Sequence, residues 1–294
     1  MRVETPVERW TGKIGIVTLG ATEEEGGTRG RKVVIGGAAT LPFLSFEGET
    51  GYPPVIAGEV IDTTRNYPEQ LRTYFGDAVE DPGEWAKKWV EKYGADLICL
   101  KLHSTNPEEE DKPPEEAIEA VKTVLESVPV PLIVYGCGDH EKDAKTMELV
   151  SNVGAGERLL LGHAEEEAYK SIAAAAMANG HAVIAFSNID INLAKQINIL
   201  LTDFGVKKED IVMDPLLGGL GMGIEYSYSM MEWIRLAALM GDTMLQMPML
   251  CDTSIAWKAK ECTEEIAEFG DIKKRAVYWE ETTAVTALMA GADL

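Results

Sequence analysis

Residues 211–228 read IVMDPLLGGLGMGIEYSY, and this stretch decides the fold. An apolar run stops at Asp214, and four glycines follow within residues 218–223. Apolar residues at helical spacing come next, from Met230 to Ala238. A strand, an acidic residue, a glycine-rich turn and a helix in this order are typical of a ligand-binding loop. Glycine has this role because it lets backbone amides approach a ligand closely.

The same alternation of strand and helix runs through the chain from residue 55. Short runs rich in Val, Ile and Leu predict strands buried on both faces, at residues 55–60, 96–102, 132–135, 159–161, 182–186, 211–214 and within 243–251. Amphipathic helical patterns lie between these runs. Seven such units in regular order favour a (β/α)8 TIM barrel over an open parallel sheet.

The two ends of the chain depart from this pattern. Two β-like runs, residues 13–19 and 31–35, are separated by a glycine-rich segment and predict an N-terminal β-hairpin extension. We therefore divide the chain into a β-hairpin or cap segment at 1–54 and a TIM barrel at 55–294. The eighth strand begins only at residues 291–294, so we expect a truncated last strand and helix, or a barrel completed in another way.

The charge of the chain excludes several classes of partner. The net charge of −22 argues against nucleic acid and against anionic membrane surfaces, because both require a positive footprint. No apolar run approaches the roughly 20 residues that span a bilayer. The N-terminus lacks the apolar region of a signal peptide, so we expect a cytoplasmic protein.

The four cysteines are scattered, and no C-x-x-C motif is present. Metal clusters and structural zinc sites in proteins are usually held by closely spaced cysteines. We therefore expect no iron–sulfur cluster or zinc site held by this chain alone.

Polar side chains at the ends of the predicted strands are the candidate site residues, because barrel enzymes place their sites there. These residues are Glu59, Asp62, Lys101, His103, Cys137, Asp139, His163, Glu165, Ser187, Asn188, Asp190, Asp214, Cys251, Asp252 and Thr253. Simpler roles remain open for several of them. Asp139 is also a suitable helix N-cap, Lys101 can pair with a carboxylate, and the glycine-rich loop can be a tight turn.

Several unusual strings carry a specific resemblance through nearly the whole chain. They are GAT at 20–22, GGTR at 26–29, LPF at 41–43, GADLI at 94–98, GCGD at 136–139, DIN at 190–192 and DPLLGGLGMGIEYS at 214–227. In these strings the sequence resembles the small subunit of the corrinoid/iron–sulfur protein of the acetyl-CoA (Wood–Ljungdahl) pathway. That family includes the delta subunit of acetyl-CoA decarbonylase/synthase.

The resemblance implies a TIM barrel that forms a heterodimer with a large subunit. That subunit would carry a [4Fe–4S] cluster and a cobalamin-binding domain, and the corrinoid would lie between the two chains. A methyltransferase would pass a methyl group from methyltetrahydrofolate to the cobalt, which would pass it to acetyl-CoA synthase/CO dehydrogenase. A reductive activator would be a further partner. This chain would be a carrier subunit without catalytic residues or metal ligands of its own.

Under this resemblance, we expect the corrinoid to lie on the glycine-rich loop. Its lining residues would be Gly218, Gly219, Leu220, Gly221 and Met222. Side chains on neighbouring loops would bind the corrinoid amides, namely Asp139, Asn188 and Asp214. Two alternatives remain open. The chain could be a pterin-binding TIM-barrel methyltransferase in its own right, with the same three polar residues around the pterin, or a purely structural barrel.

Overall fold

The structure is a computed structural model that describes residues 5–65 and 67–294. It begins with an antiparallel pair of strands, β1 (Ile16–Leu19) and β2 (Val33–Gly36). This is the hairpin predicted from residues 13–19 and 31–35. Gly36 has a φ of +88°, and a Cβ at this position would lie 2.0 Å from the carbonyl oxygen of Gly15. Only glycine can therefore occupy the end of β2 without a shift of the backbone.

Six parallel strands follow in one sheet, and each strand pairs with the next along the chain. The strands are β3 (Ala57–Ile61), β4 (Leu97–Lys101), β5 (Leu132–Tyr135), β6 (Leu160–Ala164), β7 (Ala182–Phe186) and β8 (Ile211–Asp214). The first six strand predictions of the parallel series are thus confirmed. Their apolar runs form strands because helices cover the outer face and a second core fills the inner face.

Backbone hydrogen bonds complete the ring between β8 and β3. Met213 in β8 forms a parallel bridge with Met249. The amide of Asp293 donates to the carbonyl of Met249 at 2.8 Å, and the amide of Val55 donates to the carbonyl of Asp293 at 3.1 Å. The predicted (β/α)8 TIM barrel is therefore confirmed. Residue 249 occupies the seventh strand position, and residues 292–294 occupy the eighth.

Helices surround this ring. They are α1 (Glu69–Phe75), α2 (Pro82–Tyr93), α3 (Pro114–Ser127), α4 (His140–Val153), α5 (Tyr169–Ala178), α6 (Ile191–Phe204), α7 (Ile224–Leu239), α8 (Lys260–Thr263) and α9 (Ile272–Ala290). Asp139 and Asp190 cap α4 and α6 by accepting hydrogen bonds from backbone amides of the first turn. Over the described residues, no helix has the length and apolar content needed to cross a membrane.

The β1–β2 hairpin closes the end of the barrel at which the strands begin. Its buried side chains pack against inward-facing side chains of the barrel, including Leu97, Ile133 and Leu160. Arg158, just before β6, donates from Nε to the carbonyl of Thr18 at 2.7 Å. The hairpin therefore leaves the opposite end, where the strands end, as the open mouth of the barrel.

A buried ion pair fixes the eighth strand position. Arg235 of α7 pairs with Asp293, and both side chains are almost fully buried. The Nε of Arg235 also donates to the carbonyl of Gly291 at 3.0 Å, and the amide of Met249 donates to Asp293 Oδ2 at 2.8 Å. One carboxylate thus joins a helix to two neighbouring strand positions.

We expect Arg235→Met to lower the free energy of unfolding by about 3–5 kcal/mol, because the Asp293 carboxylate would remain buried without its cation. Lys13→Met is the control, since the side chains of Lys13 and Glu49 form an exposed pair at 2.8 Å. The control should lose less than about 1 kcal/mol. Urea denaturation measures both values, and equal losses would contradict a role of the buried pair in closing the ring.

Candidate functional site

A cavity of about 540 Å³ opens at the mouth of the barrel. Inward-facing residues at the ends of the strands form its floor, because side chains alternate between the two faces of a strand. The floor residues are Glu59, Lys101, Tyr135, His163, Phe186, Asp214 and Asp252. Residues of the surrounding loops form the walls, among them Tyr67, Leu71, Ile255 and Trp257. Inward-facing side chains are thus apolar in the interior of the barrel, and polar or aromatic at its mouth.

Lys101 is the cation of the floor. Its Nζ lies 2.6 Å from Asp252 Oδ2 and 3.2 Å from Ser254 Oγ, and it also pairs with Glu59. Burial lowers the pKa of Lys101, but the charges of Glu59 and Asp252 outweigh this effect and raise it. The lysine is therefore held as an ammonium and is a poor Schiff-base nucleophile. The pairing with a carboxylate that the sequence left open for Lys101 is confirmed.

Asp214 lies at the centre of the floor, with only 5% of its surface exposed. The hydroxyl of Tyr135 donates to its Oδ2 at 3.0 Å, and the amide of Leu216 donates to its Oδ1 at 3.0 Å. Burial raises the pKa of Asp214, and these two hydrogen bonds only partly oppose the shift. Each carboxyl oxygen keeps a second lone pair that a ligand could use.

His163 and Phe186 form an aromatic pair on the other side of the floor. Their rings are stacked, with centroids 4.7 Å apart and an interplanar angle of 23°. His163 Nδ1 lies 3.1 Å from Glu165 Oε1. Burial lowers the pKa of His163, but the hydrogen bond and charge of Glu165 prevail and raise it. Among the described residues, no three His, Cys, Asp or Glu side chains are grouped to hold a metal ion.

A loop with 3-10 helical structure, residues 253–258, forms one wall of the cavity. Glu280 of α9 holds this wall in place. Its carboxylate accepts from Thr253 Oγ1 at 3.1 Å and from Trp257 Nε1 at 2.6 Å. The wall also contributes Lys258, an exposed cation at the opening, and Arg65 provides a second one.

The predicted polar residues divide into two groups. Asp214 lines the cavity, whereas Asp139 and Asn188 lie outside its lining. Asp139 accepts the amide hydrogen of Lys142 at 2.9 Å, which confirms the helix-capping role left open by the sequence. Asn188 is exposed on the loop after β7. Their roles in ligand binding stay predictions for the surface around the mouth.

The glycine-rich loop lies beside the cavity and makes several contacts within the protein. Gly218 donates its amide to Ser227 Oγ at 2.8 Å, and Leu220 donates to Thr283 Oγ1 at 3.1 Å. The amide of Met222 donates to the carbonyl of Gly219 at 2.8 Å. A Cβ on Gly219 would lie only 3.1 Å from the backbone of Ala256, so close packing explains this glycine.

Sequence reasoning missed several cavity residues. Tyr135 and Phe186 end apolar runs, where an aromatic residue has the same signature as a core residue. Tyr67 and Trp257 lie in loops without periodicity. The alternation of side chains along β5 and β7 could have identified the first two, since both face inward at the last position of their strand.

Comparison with known proteins identifies relatives over most of the chain. A family model described as CO dehydrogenase/acetyl-CoA synthase delta subunit matches residues 17–288. The delta subunit of the acetyl-CoA decarbonylase/synthase complex of Methanopyrus kandleri is 41% identical, covering 96% of this chain and 71% of the relative. That of Archaeoglobus fulgidus is 39% identical, covering 98% of this chain and 65% of the relative. The chain is thus shorter than both relatives.

Similar solved structures include two dihydropteroate synthases. The enzyme of Xanthomonas albilineans with 4-aminobenzoic acid has a TM-score of 0.54 and 16% identity, covering 82% of this chain and 86% of that one. The enzyme of Anaplasma phagocytophilum with bound 6-hydroxymethylpterin-monophosphate has a TM-score of 0.51 and 18% identity, covering 82% and 92%. At this identity the likeness concerns the fold alone.

The raised pKa of Asp214 leads to a test by pH. The folded protein keeps this proton to a higher pH than the unfolded chain, so wild type loses stability as pH rises through the raised pKa. Asp214→Asn should therefore gain stability relative to wild type as the pH rises above about 4, the ordinary pKa of an aspartate, as measured by urea unfolding.

Asp210→Asn is the control for this series. Asp210 pairs with Arg158 at 2.7 Å, away from the cavity, and its removal should give no gain that grows with pH. Titrating groups remote from Asp214 cancel in the difference between variant and wild type, whereas the charge of Asp214 helps to raise the pKa of His163, which therefore also contributes. A difference for Asp214→Asn that stays constant across the pH series would contradict a raised pKa.

Proposed function

This chain belongs to the CO dehydrogenase/acetyl-CoA synthase delta subunit family, and we propose that it is the small subunit of a corrinoid/iron–sulfur methyl carrier. The observation that carries this proposal is 39–41% identity to delta subunits over 96–98% of the chain. In this role the barrel has no catalysis of its own. It helps to hold a corrinoid and shields it from water.

The proposed partners follow from this role. A large subunit would carry the [4Fe–4S] cluster and share the corrinoid with this chain. The methyltetrahydrofolate:corrinoid methyltransferase and acetyl-CoA synthase/CO dehydrogenase would deliver and receive the methyl group, and a reductive activator would restore the cobalt. The scattered cysteines support a cluster held elsewhere, because the chain has no C-x-x-C motif.

The surface around the mouth fits a broad corrin ring. Gly138 and Gly221 carry no side chain, and a Cβ at Gly138 would meet no atom within 4 Å, so a flat molecule can approach the backbone at both loops. Met222 is 41% exposed and offers an adaptable apolar contact. The exposed amide of Asn188 and the carboxylate of Asp139 suit the amide side chains at the edge of a corrin.

The residues of this chain would serve to position the corrinoid. The corrinoid, when bound, supplies a cobalt that accepts and releases a methyl group. The backbone amides of Gly218, Leu220 and Met222 already donate hydrogen bonds within the protein. The loop would therefore contact the corrin ring mainly by van der Waals packing and not through these N–H groups. Gly219 holds that loop against Ala256 and keeps the contact surface rigid.

Replacement of Met222 tests the corrinoid contact. In the heterodimer with the large subunit, Met222→Glu should weaken corrinoid retention about tenfold, equivalent to about 1.4 kcal/mol, because a charge would face the apolar ring. Met177→Glu is the matched control, since Met177 of α5 is 45% exposed and lies away from the mouth. Visible absorbance after gel filtration measures the corrinoid per heterodimer.

The same preparation separates the carrier role from the alternatives. Equal corrinoid retention in both variants would favour a purely structural barrel. The isolated chain should not methylate free cobalamin with methyltetrahydrofolate, and formation of methylcobalamin would instead show a methyltransferase in its own right.

A further inference from the structure

The outer side of helix α7 carries a row of large apolar side chains. Tyr226, Trp233 and Met240 follow one another at intervals of seven residues, which places them on one side of the helix. Each is between 63% and 73% exposed. The opposite side of α7, which includes Met231 and Ile234, already packs into the core of the barrel. The outer row therefore has no role in the core of this chain.

The neighbouring helix α9 carries a second row. Tyr278, Val285 and Met289 are spaced by seven and four residues, and all three are exposed. The two helices lie side by side, since Arg235 of α7 donates from Nε to the carbonyl of Gly291 at the end of α9. We call these six exposed side chains the α7–α9 face.

We propose that the large subunit packs on the α7–α9 face through helices that present apolar side chains flanked by Arg or Lys. This inference rests on the proposed carrier function and adds the location of the contact. Tyr, Trp and Met are enriched in interfaces between proteins. The three aromatic side chains, each about two-thirds exposed, would bury roughly 300–500 Å². This is about half of the ~800 Å² that each partner contributes to a standard interface.

The position of the face beside the mouth indicates which partner covers it. The ring of Tyr226 lies 3.3 Å from the position of a Cβ on Gly223. Trp279 of α9 donates from Nε1 to the carbonyl of Leu220 at 2.8 Å. The upper end of the face is therefore continuous with the glycine-rich loop, on which the shared corrinoid is proposed to lie. A subunit that holds the corrinoid from its other side can extend directly onto α7 and α9.

The charges of the face favour a basic partner over a second copy of this chain. Within the described part of the chain, the carboxylates of Glu225, Glu232 and Glu281 on the two helices form no ion pair. The lysines Lys273 and Lys274 lie only at the mouth end of α9. A second copy would bring the same carboxylates together across a two-fold axis, in a chain whose net charge is already −22. Arg and Lys on a different subunit would pair with them.

Replacement of exposed residues on the face tests the contact. Biolayer interferometry with the large subunit, in the presence of corrinoid, measures the dissociation constant of the heterodimer. Trp233→Glu should weaken the heterodimer at least about thirtyfold, and Met240→Glu about tenfold, because a charge would be buried in an apolar contact. Met177→Glu on α5 is the matched control and should bind like wild type. Circular dichroism confirms that each variant is folded.

The charge of the partner surface is tested separately. Glu232→Lys should weaken the heterodimer severalfold, because it would place a cation opposite Arg or Lys. The affinity of the wild type should also fall more steeply with rising salt than that of the variant. A tighter heterodimer with Glu232→Lys would show an acidic partner surface and contradict the proposal.

The outcomes keep this inference apart from the carrier function. Equal heterodimer affinity for wild type, Trp233→Glu and Met240→Glu would overturn the inference, while corrinoid retention by that heterodimer would leave the carrier function intact. Self-association of the wild-type chain that Trp233→Glu abolishes would assign the face to a second copy and would also overturn it. A wild-type chain that forms no heterodimer with the large subunit would refute the carrier function itself.

Discussion

The ammonium of Lys101 joins the part of the barrel where backbone pairing is weakest. It lies in β4 and binds Glu59 of β3 on one side and Asp252, beyond the seventh strand position, on the other. Between these two carboxylates the ring has only residues 292–294 in the eighth position. Side-chain charge therefore connects strand ends that hydrogen bonds of the main chain do not reach. The shape of the mouth depends on this connection.

A second ion pair, Arg235–Asp293, complements the first at a lower level of the barrel. The Arg235–Asp293 pair is almost fully buried, so it is strongly coupled to the geometry around it, because a displaced partner would leave an unpaired charge in the interior. Around Lys101, the side chains of Glu59 and Asp252 are partly exposed. Apolar packing alone would tolerate small shifts between β3 and the C-terminal residues. The buried pair does not, and this supports a fixed position for residues 292–294 in the ring.

Much of the fold could be predicted from the sequence, because strands buried on both faces give short apolar runs that end at polar residues. Those runs located β3 to β8 and placed Asp214 at the mouth. The apolar runs could not show which of the following polar residues face inward, because residues beyond the end of a strand no longer alternate between its two faces. Asp139 turned to cap a helix, and Asn188 to solvent. The position of Lys101 at the end of a predicted strand marked it as a candidate site residue. Its pairing with Glu59 and Asp252 could not be predicted, because these residues come together only when the barrel closes.

The β1–β2 hairpin has a kinetic consequence. Because it packs below the inward-facing layer, molecules in the cavity cannot pass through the end of the barrel at which the strands begin, and the mouth is the wide opening. A large partner covering that mouth would make the order of events compulsory: the inner molecule arrives first and departs last. Its residence time would then be no shorter than the lifetime of the closed assembly, whatever its own affinity. A barrel open at both ends would impose no such sequence.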